Sequence, residues 1–449
     1  MNKIDFSHLN EKQQEAIKTV NGPVLVLAGA GSGKTSVITY RIAYMIEKDV
    51  SPKNILAVTF TNKAANEMKE RISKLIGSEN AKNITVCTFH ALGVRILREQ
   101  YQKAGLTKNF TIYTDSDLER VVKDIFKEYF NKEDIDIKIR DILNVISEAK
   151  SKFISPQQFK KIANSEFLSV VSKVYDYYDK YLKIYSSVDF DDLISKPIEI
   201  FKNYPEVLEY YQNRFKYIMV DEYQDTNDSQ FMIIDMLAKK YKNIFVVGDD
   251  DQSIYGFRGA NVDNILQFTK QFAGTKEIKL EQNYRSTTSI LNAANGVIKG
   301  NKNRTDKSLW SKVGVGEKIL CYLIDDQTSE VEKIVRKIKY LNKEGCDYKN
   351  IAIIYRSNHQ GTKFEEAMIQ KEIPYKVVGD TSFYDRKEIR DVLSYLVLLI
   401  NEKSEVHLKR VINYPARNIG ATTVEKLMQY ANQNNTSFLE ALKNCDKVI

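Results

Sequence analysis

The stretch Val24-Leu25-Val26-Leu27-Ala28-Gly29-Ala30-Gly31-Ser32-Gly33-Lys34-Thr35 decides the fold. An apolar run, a glycine-rich turn and a helical pattern through Ile38, Ile42 and Met45 predict strand, tight loop and helix. Backbone N–H groups in such a turn point inward, and the positive end of the helix dipole adds to them. Ala28, Gly29, Ala30, Gly31, Ser32 and Gly33 therefore outline a cradle for phosphate oxygens. In this pattern Lys34 reaches the β- and γ-phosphates and the Thr35 hydroxyl ligates Mg²⁺. Ala28 stands where the strict pattern has glycine.

Outward from the loop, Ile55–Phe60 reads as a buried strand ending in Thr61-Asn62 and a helix. Ile84–Thr88 repeats the scheme and ends at Phe89-His90. Strands alternating with helices specify a parallel sheet with right-handed crossovers, and such sheets bind ligands beyond their carboxyl ends. Tyr217–Val220 is a further strand, and it delivers Asp221 and Glu222. Adjacent carboxylates there suit one metal-holding group, Asp221, and one general base for an attacking water, Glu222. Asn243–Val247 leads into Gly248–Ala260, where Gln252 suits a γ-phosphate contact while Tyr255, Phe257 and Arg258 face a second ligand.

From about Phe110 to Val188 the pattern is helical throughout. Leu118, Val121, Val122, Ile125, Tyr129 and Phe130, then Tyr175, Tyr178 and Leu182, recur at helical spacing and read as the core of an inserted helical subdomain. After Ile278–Leu280 a second α/β region is expected, with strands at Ile319–Leu323, Ile351–Tyr355 and Pro374–Val378. Helices follow from Phe383 onward.

At 449 residues the chain exceeds one ordinary core, and about two to four domains are expected. Hydrophobic residues at 43% and charged residues at 28% exclude a disordered or membrane-embedded protein. The 67 basic against 59 acidic residues leave +8, which permits a polyanionic partner without requiring one. Cys87, Cys321, Cys346 and Cys445 lack paired spacing, which argues against a zinc site, an iron–sulfur cluster or a disulfide framework. Neither a signal-peptide run nor an 18-residue apolar segment occurs, so a cytoplasmic protein without membrane contact is expected.

Taken in order, LNEKQQEA (9–16), AGAGSGKT (28–35), TFTNKAA (59–65), TFHALG (88–93), DEYQDTN (221–227), GDDDQSIYGFRGA (248–260), LEQNYRS (280–286) and FYDRKEIRD (383–391) resemble the UvrD/PcrA/Rep family of superfamily-one DNA helicases. The resemblance implies two RecA-like P-loop domains of parallel sheet, each with an all-helical insertion. It divides the chain into a first core domain (1–109 and 188–280), its helical insertion (110–187), a second core domain (281–379) and the start of a second insertion (380–449). It also implies ATP with Mg²⁺ between the core domains and 3′-to-5′ movement on single-stranded DNA. Gln13 corresponds to the adenine-reading glutamine, Tyr284 to the ring stacked on adenine, and Arg285 to an arginine reaching the γ-phosphate. Phe60, Asn62, His90, Phe190, Tyr255, Phe257, Arg258, Arg356 and Asn358 correspond to positions lining the DNA path.

Departures are specific. Phe257 and Gly256 replace a tryptophan and an arginine, Ser36 replaces an arginine, and Asn418 replaces the glycine that opens a duplex-touching hairpin. The family carries two further motifs nearer its C-terminus, including a second arginine finger, that are absent up to Ile449; a piece of a longer helicase and a shortened relative are both open readings. The implied partners are single-stranded DNA, single-strand/duplex junctions and repair or replication proteins, with the oligomeric state left open. A helicase or translocase is the leading function. A DNA- or nucleotide-binding module without turnover, and the motor subunit of a helicase–nuclease complex, are the alternatives.

Overall fold

The strands are short because each is bounded by a glycine, a polar turn or a helix cap. They are β1 (Val24–Ala28), β2 (Ile55–Thr59), β3 (Thr85–Thr88), β4 (Thr111–Ile112), β5 (Ser187–Val188), β6 (Tyr217–Val220), β7 (Ile244–Gly248), β8 (Lys276–Leu280), β9 (Gln282–Asn283) and β10 (Trp310–Ser311). The computed structural model describes residues 4–130, 137–378, 387–402, 404–434 and 436–447. The expected parallel sheet is present: six strands in the order β3-β2-β6-β7-β1-β8, every pairing parallel.

Strands β1, β2 and β7 are buried on both faces, which is why they read as nearly unbroken apolar runs, whereas the edge strand β8 exposes Lys276 and Glu277. Leu25, Leu27, Leu56, Val58, Ile244 and Val246 pack into one core. Val24, Val26, Ile55, Ala57, Phe245 and Val247 pack into the other. The chain divides into two compact units, Met1–Glu317 with Asp391–Ile449, and Lys318–Arg390.

Between β3 and β6 lies the helical insertion, with helices Asp115–Tyr129, Ile139–Ser151, Pro156–Ile162 and Glu166–Ile184. The aromatic stripe is mostly core, since Tyr175, Tyr178 and Leu182 are buried beside Val121, Val122 and Ile125. Two details differ from expectation. Tyr129 is exposed and stacks on Tyr177, ring centroids 3.9 Å apart, because it closes its helix beyond the packed turns. The insertion is also not purely helical: β4 and β5 pair in parallel at its base, Thr111 with Ser187 and Ile112 with Val188.

The Lys318–Arg390 unit corrects a larger expectation. Its helices Gln327–Lys343 and Asn358–Gln370 pack through Val331, Val335, Ile338, Phe364 and Met368. Ile319–Leu323, Ile351–Tyr355 and Pro374–Val378 belong to no sheet among the described residues. Backbone N–H and C=O groups must find a neighbouring strand before an apolar run becomes a ladder, and none pairs with these three among the described residues.

The C-terminal stretch is helical as expected, with Lys387–Ile400, Glu405–Val411, Ala421–Gln433 and Phe438–Lys443. Phe383–Arg386 lie outside the described residues. Asn418 takes φ 60°, the left-handed conformation that glycine would supply and that asparagine tolerates better than most residues. No helix among the described residues is long and apolar enough to cross a membrane.

Candidate functional site

The motif residues of the sheet unit gather at one edge because parallel strands end together. Gly33 precedes the helix Lys34–Glu47 at φ 85°, a conformation open to glycine and strained for other residues. Beyond that turn, Lys34 Nζ lies 2.8 Å from Glu222 Oε2. The Thr35 hydroxyl lies close enough to Asp221 to favour its carboxylate form. Asp221 is anchored by its N–H, which donates to Val58 O at 2.9 Å and extends the β2–β6 ladder. Its Oδ1 accepts from Glu222 N–H at 3.0 Å. Glu222 sits at φ 50°, a left-handed conformation costing about 1–2 kcal/mol for a residue with a side chain.

Burial, followed by the charge of Glu222, pushes the Asp221 carboxyl up to about 7, although Lys34 and the Thr35 hydroxyl act the other way. A buried carboxylate short of positive charge, beside a hydroxyl, fits Mg²⁺, which takes few protein ligands and fills the rest with water and phosphate oxygens.

Gln252 reaches this pair through a relay. Gln224 Nε2 donates to Glu222 Oε2 at 3.0 Å, and Gln224 Oε1 accepts from Asp249 N–H at 3.0 Å. Asp249 Oδ2 in turn accepts from Gln252 Nε2 at 2.5 Å. Gln224 carries no helical or strand signal of its own, and only its place between the two motifs could have marked it.

The helix Glu11–Lys18 is capped by Asn10, whose side chain accepts from Gln13 N–H. Arg41 holds its far end by donating to Ala16 O at 2.8 Å and Val20 O at 2.9 Å. Gln13 is thereby placed at the phosphate loop, where its Nε2 donates to Ser32 O at 2.9 Å. Asn10 Nδ2 donates to the Tyr284 hydroxyl at 2.9 Å, which brings the two expected adenine contacts together. Asn283 Nδ2 donates to Ala30 O at 2.6 Å, and Tyr284 N–H donates to Gly31 O at 3.0 Å. Arg285 follows directly, with its β-carbon 2.9 Å from where a Cβ on Gly31 would fall.

The rings form two groups at the same edge. Phe60 and Tyr255 have centroids 4.9 Å apart, and Phe257 is 6.1 Å beyond Tyr255. His90 and Phe190 are 5.6 Å apart, and burial holds the His90 imidazole below its ordinary value, hence neutral at pH 7. Phe190 rides on a loop pinned from beneath. Buried Lys150 lies 2.5 Å from Asp189 and 2.9 Å from Asp192, and the Tyr178 hydroxyl donates to Asp189 at 2.6 Å. Lys150 was hidden to sequence reading, since a lysine on an amphipathic helix ordinarily faces water.

Asn62 opens the helix Asn62–Ile76 and is exposed. Arg258 closes the turn Gly256–Arg258, and Asn358 opens the helix Asn358–Gln370; both side chains lie outside the described residues. Arg356 and Asn358 belong to the Lys318–Arg390 unit.

A phosphate-loop turn facing an Asp-Glu pair at the carboxyl edge of a parallel sheet defines a RecA-like P-loop fold. Within that class, the chain belongs to the UvrD/REP helicase family. Residues 9–273 match the family's N-terminal domain, and residues 278–446 match the UvrD-like helicase C-terminal domain. It is 48% identical over 445 residues to the ATP-dependent DNA helicase PcrA of Staphylococcus aureus, covering 98% of this chain and 60% of that protein. The ATP-dependent DNA helicase PcrA of Staphylococcus epidermidis is likewise 48% identical, over 443 residues. The chain thus spans 60% of the length of these curated relatives.

Proposed function

We propose that this chain carries the motor of an ATP-dependent DNA helicase that moves 3′ to 5′ on single-stranded DNA and opens single-strand/duplex junctions in repair or replication. The observation that carries the reading is the Lys34–Glu222 contact at 2.8 Å beside Thr35 and Asp221. When nucleotide binds, Lys34 leaves Glu222 for the β- and γ-phosphates and frees the carboxylate as base. Glu222 takes a proton from water as the water oxygen bonds to the γ-phosphorus, and the β,γ-bridging oxygen leaves with its electron pair. Thr35 and Asp221 would hold Mg²⁺, which supplies neutralisation of charge on the phosphate oxygens. Arg285 adds positive charge where the transition state is negative, while Gln13 and Tyr284 take the adenine. Phe60, His90, Phe190, Tyr255 and Phe257 stack bases without reading sequence.

A second reading, a module that binds DNA and nucleotide without useful turnover, is favoured by the unpaired segments of the Lys318–Arg390 unit. Steady-state ATPase with and without single-stranded DNA separates the two. Robust stimulation is expected, and Lys34→Ala and Glu222→Gln should each reduce it by about 10²-fold or more. Unwinding of substrates tailed at the 3′ or the 5′ end tests the polarity. Turnover that survives either substitution would falsify the site assignment.

A further inference from the structure

Lys307 has a side chain only 2% exposed, yet its ammonium faces three carboxylates: Asp249 Oδ1 at 3.0 Å, Asp250 Oδ1 at 2.5 Å and Asp251 Oδ2 at 2.8 Å. Those contacts occupy all three donors of a lysine. Arg304 adds a two-pronged pair to Asp251, with Nε to Oδ1 at 3.0 Å and Nη2 to Oδ2 at 2.9 Å. Thr305 N–H donates to Asp250 Oδ2 at 2.5 Å. The hydrolytic scheme above uses neither cation.

Three consecutive aspartates in a buried turn repel one another unless cations hold them, and here the cations come from a segment more than fifty residues away. On one side, this cluster fixes Gln252. A carboxylate only accepts, so Gln252 must turn its NH₂ toward Asp249 and its Oε1 away. The same turn runs on to Tyr255, which meets the Phe60 ring. On the other side, Lys307 leads into β10, where Trp310 pairs with Gln282 and Ser311 with Asn283 of β9. The residues after β9 lie on the phosphate loop. Leu309 also closes on it, since a Cβ on Gly29 would fall 2.1 Å from Leu309 Cδ2. One short segment therefore spans from the Gln252 turn to the phosphate loop.

We propose that Lys307, seconded by Arg304, is a positioning residue for ATP turnover: it locks the Asp249–Asp251 turn so that Gln252 and Tyr255 keep a fixed offset from the phosphate loop and Arg285. Its contacts are the three carboxylates, so its effect falls on the geometry of hydrolysis and on the link to DNA, not on nucleotide affinity. The inference rests on the ATPase reading of the preceding section.

The test compares the full chain with Lys307→Met, Lys307→Arg and the charge-compensated Lys307→Met/Asp250→Asn. Binding of a fluorescent ATP analogue, KM, kcat and the stimulation of kcat by oligo-dT are measured for each, with circular dichroism as the folding control. The expected result is a Kd for nucleotide within about threefold of the parent and kcat lowered about 10–100-fold, the scale of a misplaced catalytic group. Stimulation by DNA should be largely lost, and Lys307→Arg should recover part of both. Where Lys307→Met does not fold, the compensated variant decides. A folded variant that keeps kcat and DNA stimulation within twofold overturns the proposal, as does a loss confined to KM or the failure of both methionine variants to fold. If the parent itself lacks ATPase activity, the motor reading falls and this inference falls with it. A turning-over parent with an indifferent Lys307→Met sinks the inference alone.

Discussion

Ile55-Leu56-Ala57-Val58-Thr59 and Ile351-Ala352-Ile353-Ile354-Tyr355 are near twins as sequences, yet the structure treats them oppositely. In the first, Leu56 is 0% exposed and the strand is paired on both edges, by β3 and β6. In the second, Ile354 is 93% exposed and no ladder forms among the described residues. Apolar, β-branched composition makes a segment able to join a sheet; only neighbours on either side make it a strand. The unit that can position chemistry is the one whose strands found neighbours.

The comparison breaks first on stability. Leu56→Ala should cost about 2–5 kcal/mol, because it deletes buried methyl groups between packed layers. Ile354→Ala should cost less than about 0.5 kcal/mol, as expected of an exposed site. Urea unfolding followed by circular dichroism measures both, and comparable losses would show that Ile354 is packed.

Exposure alone does not make two residues alike. Phe257 is 76% exposed, but it stands at the carboxyl edge beside Tyr255. Phe257→Ala should leave stability unchanged and weaken single-stranded DNA binding by about 1–3 kcal/mol, the range for a lost stacking platform. Fluorescence anisotropy with labelled oligo-dT reads this directly. Unchanged affinity would remove Phe257 from the DNA path.

A further expected effect is a pH dependence. Burial, then the charge of Asp189, pushes the Asp191 carboxyl up to about 7. A carboxyl raised in the folded state binds its proton more tightly there than when unfolded, so stability is lost as pH rises from about 4 through about 7. Asp191→Asn removes that loss. Its unfolding midpoint should match the parent near pH 4 and exceed it near pH 8, and a constant gap would place the cost elsewhere.

Much of the sheet unit was legible in the sequence, for a physical reason. Burial on both faces writes uninterrupted apolar runs, and the phosphate loop, the Asp221-Glu222 pair and the ring residues follow those runs at once. Gln13 was marked only by the family resemblance of its stretch. Less legible were groups whose importance lies in what they meet across long sequence distances. Lys150, Arg304 and Lys307 are ordinary basic residues until the fold buries them against aspartates, and Gln224 matters only because β6 and β7 lie side by side. The failed strands of the Lys318–Arg390 unit are the converse case, since local pattern cannot report a missing neighbour.

The two-residue pairing of β4 with β5 has a consequence for how such a chain can change over generations. Because Ile112 and Val188 sit side by side, the helical insertion begins and ends at one point, and the sheet meets it as it would a short loop. Most of the closure entropy of the long excursion is spent in forming that junction, and each doubling of its length adds only about 0.6 kcal/mol. The junction acts as a splice point, so lineages can lengthen, shorten or exchange the insertion while leaving the register of the phosphate-binding sheet untouched.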